Sequence, residues 1–192
     1  MQLQFMSTNY QITNRATGQV IKFIKNNKDA NNELLEMETV YAAFSDEPPL
    51  HYHPVQKEVF KVLAGELTVR MNAEIKVYKE GEEFCIEPGV HHSMWNSGYL
   101  DTMVSWIIFP PLETESFLNT LTSLANEGKT NEAGIPPLPL MLYLLNRYRN
   151  SVRLSKLGKI TLSVLCFLLY PLFLLMRYRN KIVAVHSYSV TQ

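Results

Sequence analysis

LHYHPVQKEVFKVLAG, residues 50–65, sets His51 and His53 one residue apart, with Glu58 five positions beyond them. Another histidine, His92, stands in EPGVHHSMWN (87–96). Either these four side chains converge on one metal ion, or they are scattered polar residues of an ordinary β-domain. On a strand, alternate residues share a face, so His51 and His53 can offer both imidazoles to one point while Tyr52 faces away. Pro54 bends the chain, after which Glu58 can bring its carboxylate to that point from the next strand. His92 has to arrive from another strand of the same sheet. Three neutral imidazoles and a carboxylate form a borderline donor set suited to Fe(II), Mn(II), Ni(II), Co(II) or Zn(II). An HxH pair alone is weak. Followed by a glutamate, a glycine turn and a second histidine-bearing turn, it is a much stronger signal.

The surrounding chain reads as short strands. GQVIKFI (18–24), LLEMETVYAAF (34–44), EVFKVLAG (58–65), ELTVRM (66–71), IKVY (75–78), EFCIE (83–87) and TMVSWIIF (102–109) are rich in Val, Ile, Phe and Tyr. Turn signals separate them, and no helical pattern intervenes, which predicts an antiparallel sandwich or barrel. A helix is predicted in 112–128, with Thr114 as its cap, Phe117, Leu118, Leu121 and Leu124 as its apolar stripe, and Gly128 at its end.

The two histidine stretches resemble the motifs of the cupin superfamily. HYHPVQKEVFKVLAG (51–65) has the form HxHxxxxExxxxxxG. In GEEFCIEPGVHHSMWN (81–96), Gly81, Gly89, His92 and Asn96 fall on the positions of the second motif. Glu87 stands where that motif usually has proline, and Ser45 where the first often opens with glycine; both concern turns and not ligands. The resemblance covers roughly 45–110 and implies a small β-barrel with a metal held inside by His51, His53, Glu58 and His92. Gly65 is expected to make a tight hairpin between EVFKVLA and ELTVRM, at positive φ. His91 faces away from His92 and is read as a surface residue or one supporting the ligands from behind, not as a ligand, and Asn96 as a turn-stabilising one. By alternation, Phe60, Val62, Phe84 and Met94 point inward, either as a ligand pocket or as the apolar filling that any barrel requires. Cys85 is read as packing.

The fold expected is therefore mainly β, a small antiparallel barrel over 1–110. A helix and Pro/Gly linker follow at 111–139, and a C-terminal basic and hydrophobic helical segment at 140–192. Lys plus Arg equal Asp plus Glu at 18 each, so net charge selects no partner. The distribution does: acidic residues dominate up to 140, and every charged residue from 147 to 181 is Arg or Lys. Between the basic flanks lies ITLSVLCFLLYPLFLLM (160–176), which carries no charge. An apolar core beside basic flanks favours lipid and argues against nucleic acid, so residues 147–181 are expected to meet a membrane, as a single span or a monotopic hairpin. Two cysteines, Cys85 and Cys166, make no disulfide framework, and MQLQFMSTNY is not a secretory signal, so the barrel is expected on the cytoplasmic side.

Two function classes follow. One is a metal-dependent enzyme, a dioxygenase-like or isomerase-like cupin acting on a small organic molecule at the metal's open positions. The other is a non-catalytic ligand-binding or sensing module tethered to the membrane. A homodimer through the barrel is expected in either case.

Overall fold

Alternation of apolar and polar residues drives most of the architecture. The computed structural model describes residues 9–27 and 33–155. In chain order it has β1 (Tyr10–Thr13), β2 (Val20–Asn27), β3 (Leu34–Tyr41), β4 (His51–Tyr52), β5 (Lys57–Ala64), β6 (Glu66–Met71), β7 (Glu74–Lys79), β8 (Glu83–Ile86), β9 (His92–Trp95) and β10 (Thr102–Phe109). Helices α1 (Thr114–Asn126) and α2 (Leu138–Arg147) follow, then a short strand β11 (Arg153–Leu154). Two antiparallel sheets face each other, one ordered β1-β2-β3-β10-β5-β8 and the other β11-β4-β9-β6-β7. This is the jelly-roll barrel expected, with helices on its C-terminal side.

The period of two fills the space between the sheets. Leu35, Met37, Thr39 and Tyr41 alternate inward along β3, and Glu58, Phe60 and Val62 along β5. Tyr41, Phe60, Val62, Leu67, Val69, Tyr78, Phe84, Ile86, Met94 and Val104 make one core cluster. Ile21, Phe23, Leu35, Met37 and Ile108 make another, and Trp106 packs against both. Glu58 is thus a carboxylate standing in an otherwise apolar inward row.

Gly65 does not sit in a hairpin, because β5 and β6 belong to different sheets. It is the corner at which the chain crosses from one sheet to the other, and its φ of +79° is the left-handed conformation expected there. A side chain at this corner would meet the Asp101 carbonyl oxygen and Thr102 Oγ1 at 3.0 Å. Both motif departures are accommodated by side-chain contacts. The Ser45 hydroxyl accepts the Asn96 N–H at 2.9 Å, and Glu87 pairs with Lys57 at 2.6 Å on the surface. Asn96 is fully buried and ties its turn to Tyr41, Gly98 and Leu100, a structural role as expected. Cys85 corrects its reading: it is exposed, between the inward Phe84 and Ile86.

The helical part differs from its expectation in three ways. Glu113, not Thr114, is the residue before α1; Thr114 is buried and its hydroxyl accepts from Gln56 Nε2 at 2.8 Å. Gly128, at φ +68°, does end the helix. Second, the segment that begins at 140 is packed against the helix before it. Leu140, Leu142, Leu144, Leu145, Tyr148 and Val152 form one buried cluster with Leu124 of α1, because neither amphipathic helix can bury its apolar side alone. Third, α2 does not run on into a basic helix. The N–H groups of Ser151 and Val152 both turn back to the Tyr148 carbonyl, and β11 then pairs with β4, whose outer edge would otherwise leave its backbone groups unpaired. Arg147 is turned to Glu113, at 2.7 Å. Among the described residues no helix is long and apolar enough to cross a membrane, and the segment 160–176 lies outside them.

Replacing Gly65 with valine should destabilise the fold by about 1–3 kcal/mol, since the corner demands positive φ and leaves no room for a side chain. An unchanged thermal midpoint would relocate the crossing. Leu144 is fully buried between α2 and α1. Leu144→Ala should therefore lower the stability of the whole cooperative unit by roughly 2–5 kcal/mol. A barrel transition that stays at its original denaturant midpoint would make 140–155 a separate unit after all.

Candidate metal centre

The site draws on both sheets. His51 lies on β4 directly opposite His92 on β9, as Cα partners in one sheet. His53 follows β4 immediately, and its carbonyl accepts the N–H of Gly89, so the turn of the second stretch is fastened to the first. Glu58 does not come from the neighbouring strand of that sheet; it reaches across from β5 in the facing one. The three ring centroids lie 4.4 to 5.3 Å apart, and one nitrogen from each ring falls within 4.8 Å of the others. Glu58 Oε2 approaches His92 Nε2 to 3.1 Å, and Oε1 approaches His53 Nε2 to 3.4 Å. His53, Glu58 and His92 are buried, His51 partly so.

Hydrogen bonds behind the rings decide which nitrogens face inward. His51 Nδ1 contacts the Pro49 carbonyl oxygen at 3.0 Å, His92 Nδ1 the Val90 carbonyl at 3.0 Å, and His53 Nδ1 the Ser151 carbonyl. A carbonyl oxygen only accepts, so each Nδ1 carries a proton and each Nε2 is turned inward, where it offers a lone pair in the neutral form of the ring. The Nε2 atoms of His53 and His92 and Oε2 of Glu58 are buried and make no aligned hydrogen bond. Trp106 Nε1 donates to Glu58 Oε1 at 3.0 Å and fixes the carboxylate from the side. The result is a buried convergence of acceptor atoms.

Electrostatics follow from that packing. Burial, and then the rings of His92 and His53, push the His51 imidazole down to about 3. Burial alone would raise the Glu58 carboxyl, but the rings around it, His53 foremost, outweigh this and hold it at about 2. Burial and the nearby Glu58 raise the Tyr41 phenol above its ordinary range. At neutral pH His51 is thus neutral and Glu58 an anion.

The remaining residues singled out in the sequence fall into two groups. Phe60, Val62, Phe84 and Met94 are all inward and buried in the barrel core. Phe60 stacks on Phe84 at 5.0 Å and on Trp106 at 5.6 Å, and Tyr78 lies 4.2 Å from Phe84, so this wall is densely packed. His91 stacks on Tyr52 at 4.8 Å on the outer side, away from the three converging rings. Three contributors were not identified from sequence. Trp106 could have been found, since alternation from Val104 to Ile108 turns it inward. Tyr41 could have been found in the same way on β3. Ser151 carries no local signal at all.

Residues 39–108 match the family model described as Cupin domain, which supports the cupin superfamily for this chain. Over 72 residues the chain is 39% identical to a protein of Arthrobotrys oligospora named as an oxidoreductase; the match covers 36% of this chain and 28% of that one. The chain thus spans little more than a quarter of that relative's length. Among solved structures it is similar to an RmlC-like cupin from Shewanella frigidimarina, at 19% identity and a TM-score of 0.47, covering 60% of this chain and 96% of the other. It is also similar to KdgF from Halomonas sp., at 13% identity and a TM-score of 0.45, covering 56% and 94%.

The directions of these two shifts set a pH dependence. In the metal-free protein both groups hold protons less tightly when folded, so the unfolded chain binds more protons on acidification and stability falls. The His51 contribution is complete above pH 6.5 and lost towards about 3; that of Glu58 is complete above 4.5 and lost towards about 2. Urea midpoints measured from pH 7 down to 4 should decline, and His51→Gln should flatten the upper part of the decline. A variant profile as steep as that of the unmodified protein would assign the loss to other groups.

Proposed function

We propose that His51, His53, Glu58 and His92 together hold a divalent metal ion, and that the chain is a metal-dependent oxidoreductase of the cupin type acting on a small organic molecule. One observation carries the reading: three imidazole lone pairs and a carboxylate converge in a buried space, with no donor aligned to the inward atoms of His53, His92 and Glu58. Buried acceptors crowded to within 3.1–3.4 Å repel one another unless a cation or a proton lies between them. A neutral His51 offers a lone pair, and an anionic Glu58 supplies compensating charge, so the donor set fits Fe(II), Mn(II), Ni(II), Co(II) or Zn(II). The identity with a protein named as an oxidoreductase supports the reaction class.

When bound, such an ion supplies Lewis-acid or one-electron chemistry. The chain's own part is positional. The carbonyls of Pro49, Ser151 and Val90 hold the three rings in the tautomer that presents Nε2, and Trp106 holds Glu58. Phe60, Val62, Phe84 and Met94 form the apolar wall against which the hydrocarbon part of an organic ligand would lie, and they keep that side of the site dry.

The test begins with metal content of anaerobically prepared protein, followed by turnover on a panel of small organic substrates. His51→Ala, His53→Ala and His92→Ala should each lose most of the bound metal, while His91→Ala should bind nearly as the unmodified protein does. Metal content unchanged in any two of the first three variants would sink the assignment. Equal loss at His91 and His92 would show that the wrong face of the second stretch has been chosen.

A further inference from the structure

The three imidazoles are not held in the same way. His51 and His92 each donate from Nδ1 to a carbonyl two residues earlier in their own segment, Pro49 and Val90. Those partners arrive with the ring whenever the local chain is formed. His53 donates to Ser151, 98 residues away. That partner lies outside residues 39–108, the stretch matched by the family model, and it arrives only when the chain after α2 has docked.

We propose that residues 148–155 are a strap that positions His53 and so tunes metal retention, Ser151 being the positioning residue. The inference rests on the metal reading above. The strap is fastened along its length. The Tyr148 hydroxyl lies 3.2 Å from Ser116 Oγ and 3.1 Å from Thr120 Oγ1, which anchors it to α1. The Ser151 hydroxyl accepts the Glu113 N–H at 3.2 Å, while the Ser151 and Val152 N–H groups hold the turn on the Tyr148 carbonyl. Beyond the turn, Arg153 pairs with Tyr52 and Leu154 with His51, and the Ser155 N–H donates to the Leu50 carbonyl at 3.0 Å. Each contact fixes where the Ser151 carbonyl stands relative to the His53 ring.

The consequence is chemical as well as geometric. An imidazole without an acceptor at Nδ1 is free to carry its proton on Nε2, and in that tautomer the inward nitrogen has no lone pair for a metal. Loss of such an outer partner typically weakens metal binding by roughly 10–100-fold even though every ligand remains. Docking of the strap therefore selects the binding-competent form of one imidazole out of three.

The experiment uses the full-length chain and Co(II) as the probe. Ser155→Pro deletes the N–H that holds Leu50, and Ser151→Ala deletes the hydroxyl that holds Glu113. The first readout is the histidine ring 15N shifts of the metal-free protein, which report the tautomer of each ring. The second is the Co(II) dissociation constant. His53 should be Nδ1-protonated in the unmodified protein and shift towards the Nε2-protonated form in both variants, with His51 and His92 unchanged, and Co(II) should bind roughly 10–100-fold more weakly. A folded variant that keeps either its His53 tautomer or its Co(II) affinity would overturn the strap. Should Ser155→Pro fail to fold, Ser151→Ala decides alone. If the unmodified protein binds no Co(II), the metal reading falls, while a His53 ring that is not Nδ1-protonated in it removes the strap separately.

Discussion

Much of the molecule is organised around one buried anion. Glu58 occupies an inward position of β5 that alternation would otherwise give to an apolar side chain. A carboxylate removed from water is tolerated only when it is compensated. Here Trp106 donates to one oxygen, and the Nε2 atoms of His53 and His92 stand 3.4 and 3.1 Å from the carboxylate, where a cation or a proton completes the compensation. The rings cannot donate to it in the tautomer their outer hydrogen bonds select, which is why the cluster fits a cation. A proton or a cation between the rings and the carboxylate is what holds Glu58 ionised well into acid, while burial keeps His51 neutral.

That requirement explains how the strands are distributed. If Glu58 had come from the sheet that carries the histidines, its side chain would have stood beside them. Coming from the facing sheet, it closes the site across the barrel, and the corner at Gly65 is where the chain then crosses over. The aromatic stack of Phe60, Phe84, Tyr78 and Trp106 fills the space behind it. Trp106 serves both purposes, since its face packs on Phe60 and its N–H reaches Glu58.

The C-terminal helices belong to the same physical unit. Their apolar cluster joins α1 to α2, and the chain beyond α2 returns to the edge of β4 beside His51. A barrel with an exposed β4 edge would leave backbone groups unpaired next to its most polar interior. Covering that edge with β11 meets the backbone requirement and brings the Ser151 carbonyl to His53 in one step.

By itself the sequence determined what local chemistry can encode. The period of two named the inward residues, including all four of Phe60, Val62, Phe84 and Met94. The spacing of His51, His53, Glu58 and His92 singled out the side chains that the fold brings together, and Gly65 was legible as a positive-φ position because little besides glycine suits one. The partner of a hydrogen bond is not a local property. The hairpin expected at Gly65 became a sheet crossing because both connections use the same backbone conformation, and only long-range pairing distinguishes them. Trp106 showed its inward direction in the alternation but not the carboxylate it would meet. Ser151 showed nothing, because its carbonyl is present in every residue type. Its importance comes from the docking of β11 on β4, which only the tertiary structure decides.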